Sequence, residues 1–368
     1  MWQYNAGPGT HALVVGVGEY PWLVGGTQDP FADNEGMGQL TSAPISALAF
    51  ARWVRNEYTS QTLPLRSLEV LISAAGGPVD FEPKAGDGSK KLDRATFANY
   101  QSAVKAWRNR QQPGDRALFF FCGHGIGAGF QHTLLLEDYG SDPTSLMAYA
   151  HDFTRFHVAM ARSPALSQCY FLDACRVASD VLMQSLGDYG VPILHASGAL
   201  PSPARHQPVF YATMPGATAY GRPNDTSLFT EGLLRAMRGA GATRRGGSWV
   251  ISPSSLYDGL KYHVDLLADP YGANQNCLAS SISSFDLHEL GKKVEVPVIV
   301  DCNSPPIDLQ QSSIKVTGAL GSLDQAPTIP RPWRLALPPG PYHFIVNPSS
   351  GAPKSEHVFP PFTEVTLP

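Results

Sequence analysis

ALFFFCGHG occupies residues 117–125 and joins the most continuous apolar run of the chain to a histidine flanked by two glycines. The run Ala117–Cys122 is aromatic and has no polar interruption, which is typical of a strand buried on both faces of a parallel sheet. Glycine on both sides of a histidine lets the backbone there approach a substrate closely. The sequence therefore predicts a central strand with His124 just beyond its carboxyl end.

Strand and helix patterns alternate around this strand through the first 290 residues. His11–Gly18 (HALVVGVG) is a valine-rich run that indicates a second buried strand. Further apolar runs predict strands at Leu68–Ser73, Cys169–Leu172 and Val209–Thr213. Helical spacing of apolar residues predicts helices at Pro44–Tyr58, Thr96–Arg108, Ala148–Arg162, Arg176–Leu186, Leu228–Arg238 and from the N-cap Ser252 through Leu267. This alternation predicts an α/β fold, with a mainly parallel sheet covered by helices on both faces.

The pattern changes near Gly291, after which helical periodicity is scarce and proline-rich turns separate short runs of β type. These runs predict strands at Val294–Val300, Ile314–Thr317, Trp333–Leu337, Tyr342–Val346 and Glu364–Leu367. We therefore predict two domains, an α/β domain over residues 1–290 and an all-β domain over residues 291–368. The second domain resembles a small β-sandwich.

Composition argues against several classes of function. The 368 residues carry 31 acidic and 27 basic side chains, and they lack the basic face that nucleic-acid binding needs. No apolar run approaches the roughly 20 residues that span a bilayer, and Met1–Thr10 lacks signal-peptide character, so no membrane contact is expected. Five cysteines without paired spacing fit a reducing cytoplasm. Neither metal-ligand spacing nor a phosphate-binding lysine loop is apparent, so we expect no metal and no cofactor.

A second polar site follows another predicted buried strand, in YFLDACR at residues 170–176. Ligands of open parallel sheets bind outside the carboxyl ends of the strands, so Cys175 and His124 meet there if their strands are neighbours. A thiol attacks only as thiolate, and a histidine of near-neutral pKa is well suited to take its proton. We predict Cys175 as nucleophile, His124 as general base, and the N–H groups of Gly125 and Cys175 as oxyanion-hole donors. The alternative for Cys175 is an inert buried cysteine.

These motifs, in this order, resemble the caspase-like cysteine peptidases of family C14, closest to the bacterial and metacaspase-type branch. The resemblance covers roughly residues 11–265 and rests on HALVVGVGEY, FFFCGHG, YFLDAC and the segment Phe210–Met237. His124 precedes Cys175 by 175 − 124 = 51 residues, close to the about 50 of the caspase signature, although Asp173 replaces the caspase glutamine. The resemblance implies a six-stranded sheet flanked by helices, and hydrolysis of a protein or peptide substrate through a thioester.

The resemblance also implies that Asp173 lines the pocket for the substrate's P1 side chain, where an acid favours Arg or Lys. Two departures bear on that preference. Gly38–Ser42 lacks the arginine of caspases that cut after aspartate, and Ile45–Ala47 lacks the second aspartate of metacaspases. Asp29 or Asp33, in the preceding loop, could supply that second acid. The alternative role for Asp173 is the N-cap of the helix predicted after it.

Two functions of different class fit this sequence. One is an active peptidase, and the other is a caspase-fold interaction module with latent or lost catalysis. The intact pair of His124 and Cys175 favours the peptidase. The resemblance associates such peptidases with bacterial stress, cell-death or defence pathways. For the C-terminal β-domain, binding of a substrate, an activator or a partner stays open.

Overall fold

A computed structural model describes residues 1–32, 34–177, 188–195, 205–283, 285–291, 294–302, 313–318, 321–325, 332–347 and 352–367. The chain divides into two compact units, one of Met1–Leu234 and His263–Phe285, the other of Arg235–Tyr262 and Asp286–Pro368. The second unit therefore also draws on residues that precede the predicted boundary at residue 290. A domain boundary is a statement about which parts of the chain fold independently. The predicted division at residue 290 therefore stays a prediction.

The first unit is built around a seven-stranded sheet. Its strands are β1 (Trp2–Gln3), β2 (Thr10–Val17), β3 (Leu65–Ser73), β6 (Arg116–Cys122), β10 (Ser167–Asp173), β11 (Val209–Tyr211) and β14 (Leu278–Ser280). They lie in the order β1-β3-β2-β6-β10-β11-β14; the five inner strands are parallel, and both short edge strands are antiparallel. The predicted mainly parallel sheet is confirmed, with one strand more than the resemblance implies.

The described ranges contain five helices and three single turns beside the strands. The helices are α1 (Ser42–Asn56), α2 (Phe97–Arg110), α3 (Phe153–Met160), α4 (Leu228–Arg235) and α5 (Pro253–Ala268). Two 3-10 turns and one π turn cover Leu146–Tyr149, Asp269–Tyr271 and Ala236–Ala240. None of the helices in the described ranges is long and apolar enough to cross a membrane.

Successive phenylalanines of β6 pack on opposite faces of the sheet, because side chains alternate along a strand. Phe120 stacks on Phe50 of α1, with ring centroids 4.5 Å apart. On the other face, Phe119 contacts Trp107 of α2 and Phe153 of α3 at centroid distances of 6.2 Å. The uninterrupted aromatic run therefore follows from burial of β6 between two helical layers.

A small antiparallel sheet follows directly after His124 and was not predicted. It consists of β7 (Gly125–Ala128), β8 (Gln131–Leu135) and β9 (Ala150–Asp152). The glycines of β7 conceal the β pattern in the sequence, since glycine is depleted in strands. The predicted helix from Ala148 was wrong at its start, because β9 comes first and Asp152 caps α3 by accepting the N–H of Arg155 at 2.8 Å.

A further predicted helix, Arg176–Leu186, is only partly covered by the described residues. Arg176 and Val177 are not helical, and residues 178–187 lie outside the described ranges. The prediction of a helix start at Arg176 was therefore wrong. A hydrogen bond from the Arg176 N–H to the carbonyl of Ala217, at 3.1 Å, holds the backbone here instead.

All five strands predicted in the C-terminal region are present. The second unit contains a sheet of β12 (Ala242–Arg245), β13 (Ser248–Ile251) and β15 (His288–Gly291), a sheet of β16 (Val296–Cys302), β19 (Trp333–Leu337) and β22 (Thr363–Leu367), and a sheet of β17 (Ser313–Gly318), β18 (Gly321–Gln325), β20 (Gly340–Asn347) and β21 (Lys354–Val358). The first unit also contains a short ribbon of β4 (Asp80–Phe81) and β5 (Lys90–Lys91). Alternate residues of β16 are buried, as expected for strands with one face on a core.

Candidate active site

The register of the main sheet brings the two predicted catalytic residues to the same edge. β6 and β10 are parallel neighbours, with Cys122 opposite Asp173. His124 and Cys175 each follow these paired residues by two positions, beyond the carboxyl ends of their strands. Both line one cavity of about 200 Å³. The sheet thus brings together a thiol and an imidazole that are far apart in sequence.

Contacts with Tyr20 and Gly38 fix the position of His124. Its N–H donates to the hydroxyl oxygen of Tyr20 at 2.8 Å, and the two rings lie with centroids 4.8 Å apart. Its Nε2 lies 2.7 Å from the carbonyl oxygen of Gly38. A carbonyl can only accept, so Nε2 carries the proton and Nδ1 is the free acceptor of the neutral ring. This tautomer is the one that can take a proton at Nδ1.

The loop that supplies the Gly38 carbonyl is held by the amide of Gln39. The N–H of Tyr20 donates to Oε1 of Gln39 at 2.8 Å, and Nε2 of Gln39 donates to the carbonyls of Tyr20 and Val24 at 2.9 and 3.1 Å. One amide side chain therefore ties together three points of the loop between β2 and α1. That loop in turn orients the imidazole of His124.

The backbone segment of residues 216–219 holds Cys175. The N–H of Ala219 donates to Sγ of Cys175 at 3.2 Å. In the next residue, the N–H of Arg176 donates to the carbonyl of Ala217. The carbonyl of Arg176 accepts from the N–H of Gly216 at 2.8 Å. An N–H aimed at the sulfur stabilises the thiolate, as it would stabilise any developing negative charge.

Burial favours the uncharged form of both titratable groups. It lowers the pKa of His124 below its usual range, against the opposing effect of the hydrogen bond to Gly38. Burial also raises the pKa of the Cys175 thiol, the Ala219 N–H opposes this shift, and the charge of Asp173 adds to it. Since the histidine pKa lies below that of the thiol, the resting pair is a thiol and a neutral imidazole.

A pH profile of alkylation tests this resting state. We expect the rate at which iodoacetamide modifies Cys175 to rise with pH through a pKa above 9.0, because only the thiolate reacts. The measurement is the rate constant for modification of the Cys175 peptide from about pH 6 to about pH 11, with Cys175→Ala as background. A rate that is already maximal near neutral pH would instead indicate a preformed thiolate–imidazolium pair.

The predicted oxyanion donor Gly125 lies where a side chain has no room. A Cβ added there would lie 2.6 Å from the carbonyl oxygen of Cys175. The N–H of Leu135 donates to the carbonyl of His124, so these two residues form a hydrogen-bonded pair. Such pairs alternate with non-hydrogen-bonded pairs along an antiparallel ladder, so the next pair, Gly125 and Leu134, is of the second kind. The N–H of Gly125 therefore points away from β8, on the side where Gly127 donates to Val177 at 2.9 Å. This orientation suits the predicted role, which stays a prediction.

Asp173 lines the same cavity and is almost fully buried. Its Oδ2 accepts hydrogen bonds from the hydroxyls of Ser227 and Thr230, at the start of α4. Burial raises the pKa of Asp173, and these hydroxyls act in the opposite direction. No Lys or Arg of the described ranges pairs with the carboxylate. The N-cap role predicted for Asp173 was wrong for the segment after it, because Ala174–Val177 is not helical.

Neither candidate for a second acid joins the described cavity lining. Asp29 is exposed and does not line the cavity, and Asp33 lies outside the described residues. Ser42, at the start of α1, faces the cavity instead. Across the described ranges, no cluster of three His, Cys, Asp or Glu side chains is arranged to hold a metal ion.

Sequence reasoning missed the groups that hold the two candidate catalytic residues. These are the hydroxyl of Tyr20, the carbonyl of Gly38, the N–H of Ala219, and the side chain of His132, whose Nε2 lies 3.1 Å from the carbonyl oxygen of Cys175. Tyr20, Gly38 and Ala219 lie in loops that are far in sequence from the catalytic candidates they contact. Only the abundance of glycine near His124 hinted at close backbone approaches.

Comparison with known proteins assigns the chain to a family. The family model described as "Caspase domain", Peptidase_C14, matches residues 10–256. An uncharacterized protein of Sinorhizobium fredii is 31% identical over 204 residues, which cover 54% of this chain and 57% of that protein. A "Probable protease" of a Desulfuromonadales bacterium is 26% identical over 243 residues, which cover 62% of this chain and only 26% of that protein. The match thus spans about half of the first relative and a quarter of the second.

Solved structures give weaker likenesses. A protein from Geobacter sulfurreducens has a TM-score of 0.44 at 14% identity and covers 76% of this chain and 97% of its own. Caspase-1 from Spodoptera frugiperda also has a TM-score of 0.44, at 12% identity, and covers 76% of this chain and 89% of its own. The assignment rests on the caspase-domain match and on the sheet described above. The chain belongs to the protease-like caspase-domain family C14, with a caspase-like α/β fold and additional C-terminal strands.

Proposed function

We propose that the chain is a cysteine endopeptidase in which Cys175 is the nucleophile and His124 the general base. The observation that carries this proposal is the Nε2 hydrogen bond of His124 to the Gly38 carbonyl. It leaves Nδ1 as the proton acceptor in the cavity that Cys175 also lines. A histidine of lowered pKa stays unprotonated at neutral pH and is ready to act as a base.

Acylation begins with transfer of the Cys175 proton to Nδ1 of His124, as Sγ forms a bond to the carbonyl carbon of the scissile peptide. The carbonyl π pair moves to oxygen, and the N–H groups of Gly125 and Cys175 stabilise that oxyanion. When the oxyanion collapses, the C–N bond breaks and the leaving amine takes the proton from His124. The products of this half-reaction are a thioester at Cys175 and a free amine.

Deacylation repeats these steps with water. His124 takes one proton from a water molecule, whose oxygen attacks the thioester carbonyl. The second oxyanion collapses with cleavage of the C–S bond, and the Cys175 sulfur receives the proton from His124. A carboxylic acid leaves, and both side chains return to their uncharged state.

We also propose that the substrate carries Arg or Lys at P1. Asp173 is the one carboxylate in the described lining of the cavity, and its hydrogen-bond partners are the hydroxyls of Ser227 and Thr230 and the thiol of Cys122, none of which carries a positive charge. A buried carboxylate without a cation costs free energy, so a basic side chain that enters the cavity gains from pairing with it. Ser42 and Ser227 offer further polar atoms along the wall.

A peptide panel tests the P1 proposal. Fluorogenic peptides that differ only at P1 (Arg, Lys, Asp, Leu) are compared between the wild-type protein and Asp173→Asn. We expect kcat/KM for the Arg peptide to fall about tenfold or more in the variant, because a charged hydrogen bond is lost. Asparagine keeps an oxygen for Ser227 and Thr230, so the fold is preserved. Equal selectivity of both proteins for Arg over Leu would contradict the role of Asp173.

A latent or binding role is a second candidate, supported by the position of Ala219. Both backbone groups of Ala219 lie near Sγ of Cys175, the N–H at 3.2 Å and the carbonyl oxygen at 3.9 Å. This segment covers part of the nucleophile at rest. If the panel is not cleaved while iodoacetamide still labels Cys175, the protein is a latent enzyme; if Cys175 also resists labelling, an interaction module is the better description.

The cellular setting is also part of the proposal. We propose a cytoplasmic protein that needs no cofactor and no nucleic acid, acts on a protein substrate in a bacterial defence or cell-death pathway, and uses its C-terminal β-region to bind that substrate or an activator. The buried thiols of Cys122 and Cys169 form no disulfide, which fits a reducing compartment. New N-termini that appear in cell extract treated with wild type, but not with Cys175→Ala, would identify the substrate.

A further inference from the structure

His132 lies on β8, outside the predicted dyad, and contacts the nucleophile residue itself. Its side chain is buried, with 1% of the residue exposed, and its Nε2 lies 3.1 Å from the carbonyl oxygen of Cys175. That oxygen can only accept, so Nε2 carries the proton and donates. Burial lowers the pKa of His132 to about 3, so the ring is neutral at physiological pH and has this single N–H.

The hydrogen bond from His132 completes the restraint of one peptide unit. The peptide between Cys175 and Arg176 accepts at its oxygen from His132 and donates through its N–H to Ala217 at 3.1 Å. A peptide unit is planar, so bonds at both of its ends fix its orientation. That orientation sets the backbone rotation of Cys175, and with it the directions in which the Cys175 side chain and N–H point.

The absence of a side chain at Gly125 is what allows this contact. A Cβ at that position would lie 2.6 Å from the Cys175 carbonyl oxygen and 3.0 Å from Nε2 of His132. The carbonyl oxygen of Cys175 and Nε2 of His132 therefore both lie against the position that a Cβ of Gly125 would occupy. Rotation of the peptide would move Sγ away from the Ala219 N–H, which lowers the pKa of the thiol.

We propose that His132 is a positioning residue that holds Cys175 in its reactive geometry through the carbonyl of Cys175. The inference rests on the proposed role of Cys175 as nucleophile. His132 touches no reacting atom. It acts by keeping Sγ within reach of the Ala219 N–H and the Cys175 N–H directed toward the oxyanion.

A matched pair of variants separates this role from simple packing. Gln and Met have similar size and flexibility, but only Gln keeps an N–H donor. We expect alkylation of Cys175 by iodoacetamide near pH 8 to be about tenfold slower in His132→Met, with its pH profile shifted upward by about one unit. His132→Gln should stay within about threefold of wild type. On the peptide panel, His132→Met should lower kcat more than it raises KM.

His151 provides the control on the neighbouring strand. It is equally buried on β9 and donates through Nδ1 to the carbonyl of Val191 at 3.1 Å, away from the nucleophile. His151→Met should lower the melting temperature while the alkylation rate and its pH profile stay unchanged. Equal alkylation by His132→Met and wild type, or an equal loss in the Met and Gln variants, would overturn the proposal.

Two further experimental outcomes separate the role of His132 from effects on folding and from the peptidase proposal. If His132→Met does not fold, the glutamine variant decides, because a folded His132→Gln protein that loses tenfold or more in alkylation contradicts the donor role. If wild type cleaves no peptide while His132→Met still slows alkylation, the positioning role stands and the peptidase proposal fails. The alkylation rate depends on the Cys175 thiol and not on peptide cleavage, so failure of the positioning role and failure of the peptidase proposal are distinguishable.

Discussion

Cys175→Ala is expected to lower peptide hydrolysis by about 10⁴-fold or more, because no thioester can form without the nucleophile. Cys175 is only partly buried in the cavity, so removal of its sulfur should change the melting temperature little. The measurement is kcat/KM of the two purified proteins on the preferred peptide of the panel. Thermal unfolding of both proteins checks that the variant is folded.

A cysteine on β10, the strand that precedes Cys175, supplies the matched control. Cys169 is fully buried in β10 and does not line the cavity, and burial raises the pKa of its thiol to about 12. Cys169→Ala should therefore lose some stability through a small packing defect and keep its activity. Hydrolysis that survives in Cys175→Ala would exclude Cys175 as the nucleophile and would point to a contaminating protease or another group.

Gly125→Ala is expected to lower kcat/KM by about 100-fold or more, because misplacement of a catalytic group by about 1 Å has effects of that size. The added methyl carbon would lie 2.6 Å from the Cys175 carbonyl oxygen and 2.9 Å from the Ala174 methyl carbon. Relief of this clash must move the nucleophile segment or the start of β7. Overpacking of this kind also lowers the free energy of unfolding by about 1–3 kcal/mol.

The tip of the same hairpin provides a control for Gly125→Ala. Gly129 has a φ of +59° and no atom within 4 Å of an added Cβ, and asparagine tolerates this left-handed region. Gly129→Asn should therefore keep both activity and stability. Full activity of Gly125→Ala would show that the Cys175 carbonyl can move without consequence, and it would remove support for the oxyanion role of Gly125.

Local patterns in the sequence were sufficient to predict the inner strands and most helices. Apolar runs such as that of β6 indicate burial on both faces, because each residue along a strand points to alternate sides. The strands β2, β6, β10 and β11 appear where their runs predicted them, with ends that differ by a few residues. The sequence also placed Cys175 and His124 beyond strand ends, and adjacency of β6 and β10 then brought both to one cavity.

Apolar patterns could not predict the short strands and the glycine-rich strand of the small sheet. β7 contains two glycines in four residues, and β9 has three residues, so neither shows a usable alternation. The start of α3 was mispredicted for the same reason, because a three-residue strand precedes it. Pairing with β8 stabilises both strands, and that pairing exists only in the folded chain.

By itself the sequence determined the candidates for chemistry: one thiol, one imidazole and one carboxylate, each at or beyond the end of a buried strand. Only the tertiary structure decided what orients them. Gly38 is 86 residues from His124, Tyr20 is 104 residues away, and Ala219 is 44 residues from Cys175. Two of these three partner groups, the Gly38 carbonyl and the Ala219 N–H, belong to the backbone, which is nearly the same in every residue type, so the sequence cannot mark them; the fold selects them by distance and direction alone.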